Sequence, residues 1–191
     1  MASEAEVLHS LRVKGAASAP DLARACGTET LEQELAGLRE QGLVSQAGEG
    51  EAAIYGLTEA GRGRHAELLG AEAGAAERER LDAAYERDFL PVNVEFKQLC
   101  AEWQTEGESF ERLERLVEVH ERIEAFLVDA GGVAPRFERY SDRLGAAADR
   151  VQDGDGSALV HPLGDSYHNV WFELHEDLIV TLGRSRADEE S

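Results

Sequence analysis

Cysteine is scarce in this 191-residue chain: Cys26 and Cys100 are the only two, far apart and without metal-ligand spacing. That leaves no disulfide framework, and both thiols are expected to be reduced. No apolar N-terminal region of signal-peptide type and no long apolar run occurs, so the chain is expected to be neither exported nor membrane-spanning, and cytoplasmic. Cys-x-x-Cys and His-Glu-x-x-His are absent, and no metal site is expected. Also missing are Gly-x-Ser-x-Gly, a Cys–His nucleophile arrangement, a phosphate-cradling glycine loop and a dinucleotide fingerprint. By familiar motifs, then, the chain alone has no means of binding and splitting ATP. It carries no internal repeat.

Acidity is abundant instead. Thirty-nine Asp and Glu against 19 Lys and Arg give a net charge of −20. Such a charge repels polyanions and disfavours nucleic acid and anionic membranes as partners. It also serves solubility, the plainer explanation. Hydrophobic residues at 42% and charged residues at 30% suit a globular protein of one large domain or two small ones.

The most informative stretch runs from Ser166 to Gly183 and reads as one capped helix, Ser166 at the N-cap and Gly183 beyond the last turn. Tyr167, Val170, Trp171, Leu174, Leu178 and Leu182 recur at helical spacing as a core stripe. His168, Phe172, His175 and Ile179 form a second stripe beside it, so most of the helix is expected to be buried. Two imidazoles beside a Trp-Phe pair suit the wall of a pocket for an aromatic compound, or for one that must lose a proton. The plainer alternative is a set of core histidines with hydrogen-bond partners.

The first 70 residues follow a helix, helix, helix, hairpin, helix order. Ser18 and Pro20 open the second helix. Thr30, with Gln33 three residues on, predicts a capping box for the third, and Leu31, Leu35 and Leu38 its buried stripe. Leu43-Val44 and Ala53-Ile54-Tyr55 flank a glycine-containing turn and predict a two-stranded hairpin. With the run Gly42-Leu-Val and Tyr55-Gly-Leu-Thr-Glu-Ala-Gly-Arg62, this half resembles the winged helix-turn-helix domain of MarR-like regulators. DNA is nonetheless an unexpected partner. The helix that would enter the major groove carries Glu29, Glu32, Glu34 and Glu40 against Arg39, and the wing tip carries Glu49 and Glu51. Residues 1–67 hold six bases and eleven acids, a local charge of −5, where phosphate contacts need Lys and Arg.

Residues 71–88, rich in Ala, Glu and Arg, read as a solvated helical linker. Residues 89–186 read as an all-helical, four-helix-bundle-like domain, and 187–191 as an acidic tail. The whole is mainly α. Pro91 opens a helix with Val92, Phe96, Leu99 and Trp103 inward. The next has Phe110, Leu113, Leu116, Val117, His120, Ile123 and Leu127 on one face. A third places Phe137, Tyr140, Leu144, Ala147 and Val151 inward.

Candidate chemistry lies in this half. His120, His168 and His175 sit on or beside apolar stripes. His168 and His175 are about 10.5 Å apart along a helix axis, too far to share one ion. Arg136, Tyr140 and Arg143 share a helical face and form a candidate oxyanion clamp. The alternative is a surface ladder with neighbouring acids such as Glu138 and Asp142 and their counterparts on adjacent helices. Trp103, Gln104, Tyr140, Trp171 and Phe172 concentrate aromatic and polar groups suited to a flat ligand.

Across nearly its whole length the chain resembles a known assembly. The runs are Phe89-Leu-Pro-Val-Asn93, Leu99-Cys-Ala-Glu-Trp-Gln104, Pro135-Arg-Phe-Glu-Arg-Tyr-Ser-Asp-Arg-Leu144 and Asp165-Ser-Tyr-His-Asn-Val-Trp-Phe-Glu-Leu-His-Glu-Asp-Leu178. They are similar to the C-terminal region of actinobacterial proteins related to pyruvate phosphate dikinase and phosphoenolpyruvate synthase. They also resemble the small subunit of two-component hydroxyaryl dikinases. The resemblance implies a non-autonomous phosphotransferase subunit that binds a phenolic acceptor, a hydroxyphenyl ketone or an alkylphenol. A large ATP-grasp partner would hold ATP and Mg and carry the phosphohistidine. His168, His175 or His120 would then be the base, and Arg136 and Arg143 the phosphate clamp. Trp103, Tyr140, Tyr167, Trp171 and Phe172 would hold the ring, and Asn93 and Gln104 a second polar substituent. The alternative is a winged-helix transcriptional regulator whose helical half senses a small aromatic ligand.

Overall fold

The computed structural model describes residues 1–162 and 164–185, with the Glu51 side chain left aside, so the expected tail at 187–191 lies outside the described residues. The fold is mainly α with a small sheet. Two compact units divide the chain, Met1–Ala73 and Gly74–Ser191.

In the first unit the order is α1 (Glu4–Lys14), β1 (Ala16–Ser18), α2 (Ala19–Ala25), α3 (Glu32–Glu40), β2 (Val44–Ala47), β3 (Ile54–Leu57) and α4 (Glu59–Glu72). The three strands pair antiparallel in the order β1-β3-β2, which is a winged helix. Ser3 and Glu6 close a capping box on α1, and Ser18 with Pro20 starts α2. Leu8, Leu11, Leu22, Leu31 and Leu35 fill the core. The capping box expected at Thr30 and Gln33 does not form. Leu31 takes the N-cap position without a side-chain cap, and Thr30 Oγ1 accepts only from Glu32 N at 3.4 Å. Leu31 is fully buried, and seating it in the core prevails over a cap worth about 1 kcal/mol.

The run around Thr58 has a physical role. Thr58 caps α4 by accepting from Gly61 N at 3.0 Å, and its hydroxyl donates to the Gly42 carbonyl at 2.7 Å. A Cβ on Gly61 would stand 2.0 Å from the Leu43 carbonyl oxygen, so close approach there requires glycine.

The second unit comprises α5 (Ala75–Ala84), a wide turn over Tyr85–Phe89, α6 (Leu90–Glu106), α7 (Phe110–Gly131), α8 (Glu138–Gln152), α9 (Ser157–Val160) and α10 (Tyr167–Leu182). Helices α6, α7, α8 and α10 pack as the bundle. The boundary between units falls after Ala73, and residues 74–88 are not a solvated linker: Leu81, Ala84 and Tyr85 belong to the bundle core. Pro91 stands in the first turn of α6, as expected, but α6 continues from α5 through the wide turn and does not follow a break in the chain's helical course. Pro91 has no N–H for the Arg87 carbonyl, and its ring presses on that carbonyl. The chain accommodates it with a π turn, in which Leu90 N–H reaches back five residues to the Tyr85 carbonyl.

The buried stripe of α7 is Leu116, Val119, Ile123, Phe126, Leu127 and Ala130. Phe110 and Val117, expected inward, are exposed. The inward face of α8 is as expected, with Tyr140, Leu144, Ala147 and Val151 buried behind Phe137. Ser166 caps α10 by accepting from Asn169 N, and Gly183 closes it at φ 66°. The second stripe of α10 is only half inside: His175 and Ile179 are buried, while His168 and Phe172 face out.

Candidate functional site

A cleft of about 490 Å³ opens between α6 and α10 beside the π turn. Its apolar lining comes from Leu90, Pro91, Val94, Phe96, Trp171 and Phe172, and its polar lining from Glu86, Asn93, Lys97, His168 and His175. The arrangement follows from two helical repeats. Asn93 and Lys97 are one turn apart on α6, as are His168 and Phe172 on α10, with His175 two turns on from His168.

The floor is a packed aromatic group. Phe96 and Trp171 have ring centroids 4.4 Å apart, and Phe89 stacks on Trp171 at 5.6 Å and on Tyr85 at 5.2 Å. His175 is buried in this group, its Nε2 3.0 Å from the Tyr85 hydroxyl and its ring 5.1 Å from that of Phe89. Trp171 Nε1 donates to Asn93 Oδ1 at 2.9 Å, which fixes which way the buried Asn93 amide points. His168 stands exposed at the mouth, and Phe172, 51% exposed, lies beside it. Glu86, also lining the cleft, is held by Arg184 at 2.6 Å.

Five of the expected site residues therefore meet in one cleft: Asn93, His168, Trp171, Phe172 and His175. The others do not line it. Trp103 is about 15 Å along α6 from Asn93, and it donates to the Gly156 carbonyl at 3.1 Å. Gln104 is exposed beside it. Tyr167 turns into the core, with its hydroxyl 3.3 Å from His120 Nδ1, so this pair is spent on packing α10 against α7. Burial, with Glu124 and Cys100 nearby, raises the Tyr167 phenol above its ordinary range.

The expected phosphate clamp is corrected most firmly. The Arg136 guanidinium is buried against Asp177, with Nε at 3.1 Å and Nη2 at 3.1 Å from Oδ1. Nη2 also donates to Thr181 Oγ1 at 2.6 Å, and the Tyr140 hydroxyl donates to Asp177 Oδ2 at 3.1 Å. Burial first, and then Asp177, keeps the Tyr140 phenol well above its ordinary range. Arg143 is divided between Asp165 at 2.9 Å and Glu173 at 2.8 Å. Burial opposes its charge, but those two carboxylates outweigh that and raise its pKa. Both guanidiniums have carboxylate partners inside the fold and sit outside the cleft. The ladder alternative holds in so far as Arg136 pairs with an acid on an adjacent helix, Asp177 on α10, but the pair is buried and not on the surface.

Sequence reasoning missed Tyr85, Glu86 and Lys97. The first two fell within the supposed linker. Lys97 had a legible signal, its one-turn spacing from Asn93. Among the described residues, no three of His, Cys, Asp and Glu converge in a metal-like group, and no helix is long and apolar enough to cross a membrane. No protein-family model, curated protein or solved structure matches the chain.

Proposed function

We propose that the helical unit binds a small phenolic compound in the α6–α10 cleft and presents its hydroxyl for phosphoryl transfer. In this reading the chain is the acceptor-binding subunit of a dikinase. ATP, Mg and the phosphohistidine belong to a large ATP-grasp partner. The observation that carries the reading is the cleft itself, where Trp171, Phe172, His168, His175 and Asn93 line one space of ring size. The reaction class comes from the resemblance of the sequence runs given above.

The chemistry the residues supply is proton removal and orientation. A phenol has a pKa near 10, so transfer at neutral pH gains from an imidazole that accepts its proton. His175 is the better placed of the two, since Tyr85 fixes its ring and burial shields it from water. Phe172, half exposed, offers a face for the aromatic ring above the packed floor of Trp171 and Phe96.

The test is titration of phenol and alkylphenols into the full chain, following tryptophan fluorescence and heat, with capture of an ATP-grasp protein from the native host as a second arm. Binding in the micromolar range is expected. No binding below millimolar concentration would remove the reading.

A second reading is favoured by the winged helix: a regulator that senses an aromatic ligand in the same cleft. It requires a DNA complex, and the exposed Glu32 and Glu40 of α3 oppose one.

A further inference from the structure

We infer that the cleft receives an aryl ligand carrying anionic oxygens, and that Asn93 and Lys97 hold those oxygens. The inference rests on the cleft being a ligand site, as proposed above, and adds which chemistry it selects.

Two observations carry it. The first is the Asn93 amide. Asn93 is 4% exposed and lines the cleft, and its Oδ1 is taken by Trp171 Nε1. Nδ2, on the other side of that amide, is not among the enclosed side-chain atoms that lack a partner, so its donors are open to the cleft. A donor open to the cleft can exchange water for a ligand oxygen, and its carrier is already held in place by Trp171.

The second is charge. In this acidic chain the arginines of the bundle are taken up by carboxylates: Arg112, Arg115, Arg122, Arg136, Arg143 and Arg184 all have such partners. Lys97 has none among the described residues, although it lines the cleft. Its helix gives it no acid to pair with, because Asn93, Val94, Cys100 and Ala101 occupy the positions one turn away. The carboxylate that shares the cleft, Glu86, is neutralised by Arg184. An ammonium without a carboxylate partner among the described residues and an amide donor open to the cleft therefore lie one turn apart on one wall. That wall suits a carboxylate or phosphate on the ligand, with the ring against Trp171. For a phosphoryl acceptor it is the aryl phosphate product that carries such a group.

The experiment compares phenol, benzoate and phenyl phosphate binding to the full chain by calorimetry at two ionic strengths. Lys97 is exposed, so Lys97→Gln should leave the fold intact, and Lys97→Arg should retain the charge. Asn93→Asp keeps an acceptor for Trp171 while removing the donors and adding a negative charge. We expect at least one anion to bind about tenfold tighter than phenol, in a salt-dependent manner. Lys97→Gln and Asn93→Asp should erase that preference, and Lys97→Arg should restore it. Preference for phenyl phosphate over benzoate would identify the phosphate as the source, and the reverse the carboxylate. Equal binding of phenol and both anions, or an anion preference that survives in Lys97→Gln, would overturn the inference and leave the aryl site standing. Failure of all three compounds to bind would remove the site and the inference together.

Discussion

Arg136 and Asp177 meet in a two-pronged ion pair whose side chains are 7% and 1% exposed, joining the turn just before α8 to the middle of α10. Thr181 and Tyr140 fill the remaining lone pairs of the carboxylate. A buried pair of this kind contributes little over an apolar replacement, yet losing one partner strands the other charge. Asp177→Ala is expected to cost about 3–5 kcal/mol in urea unfolding. The double variant Arg136→Met with Asp177→Leu should recover much of that loss. If Arg136→Ala left stability intact and weakened only ligand binding, the structural role assigned to Arg136 would be wrong.

Gly61→Ala is expected to destabilise the winged-helix unit by about 1–3 kcal/mol, as overpacking against rigid backbone does. The added methyl meets the Leu43 carbonyl, which cannot rotate away as a side chain would. Hydrogen exchange of the β2 and β3 amides, measured in the full chain, reads the effect where it arises. Unchanged protection in the variant would show that the wing has more room than its packing indicates.

For phosphoryl transfer we predict that His175→Gln lowers turnover by roughly 10²–10⁴-fold with ring affinity preserved. His168→Gln should have a much smaller effect, since that ring is exposed at the mouth. Tyr85→Phe should fall between them, because it frees the imidazole without removing it. The assay is ATP-dependent aryl phosphate formation with the partner supplied. Near-normal turnover in folded His175→Gln would leave that imidazole a packing residue of the core.

No sequence-selective DNA complex is expected at physiological salt. The exposed acids of α3, Glu32 and Glu40, would repel the phosphate backbone. Gel shifts with the region upstream of its own gene decide this, and a sub-micromolar, selective and salt-dependent complex would favour the regulator.

Stability should fall on the alkaline side. Burial pushes the Cys100 thiol up to about 12 from 9.0, and the Tyr140 and Tyr167 phenols are raised as well. The fold thus favours the protonated forms. Their contribution is complete below the unfolded values and is lost as pH rises towards the folded ones. Each group adds a slope of about 1.4 kcal/mol per pH unit. Cys100→Ala should delete the part that begins near pH 9 and leave the phenol part, which begins near pH 10. Urea midpoints between pH 8 and 11 that do not move would contradict this.

Much of the fold was legible because caps and stripes are local. Ser166, Gly183, Ser18 and Pro20 act within a few residues of themselves, and the α8 stripe declares its own face. What failed was what depends on a distant partner. Ala16–Ser18 has no strand character of its own and becomes β1 only by pairing with β3. Asp177 reads as a solvent residue until Arg136 arrives from 41 positions away. His9 and His65 gave no signal, yet their rings meet 3.0 Å apart between α1 and α4. For the cleft, the α10 wall was readable from His168, Trp171, Phe172 and His175. The α6 wall was only half so, because Asn93 was read and Lys97, one turn on, was not.

The wide turn before Pro91 is in effect a one-residue insertion in an otherwise continuous helix. Each residue of an α-helix advances the helix by about 100°, so the extra one sets the phase between α5 and α6. With it in place, Leu81, Tyr85 and Phe89 point into the core while Glu86, Leu90 and Asn93 reach the cleft. Removing a residue from this turn would leave a helix regular in its hydrogen bonds up to the proline. It would also rotate everything before the turn by about a quarter of a revolution, carrying Leu81 towards water. In this stretch the count of residues, more than their identity, decides which side chains line the cleft.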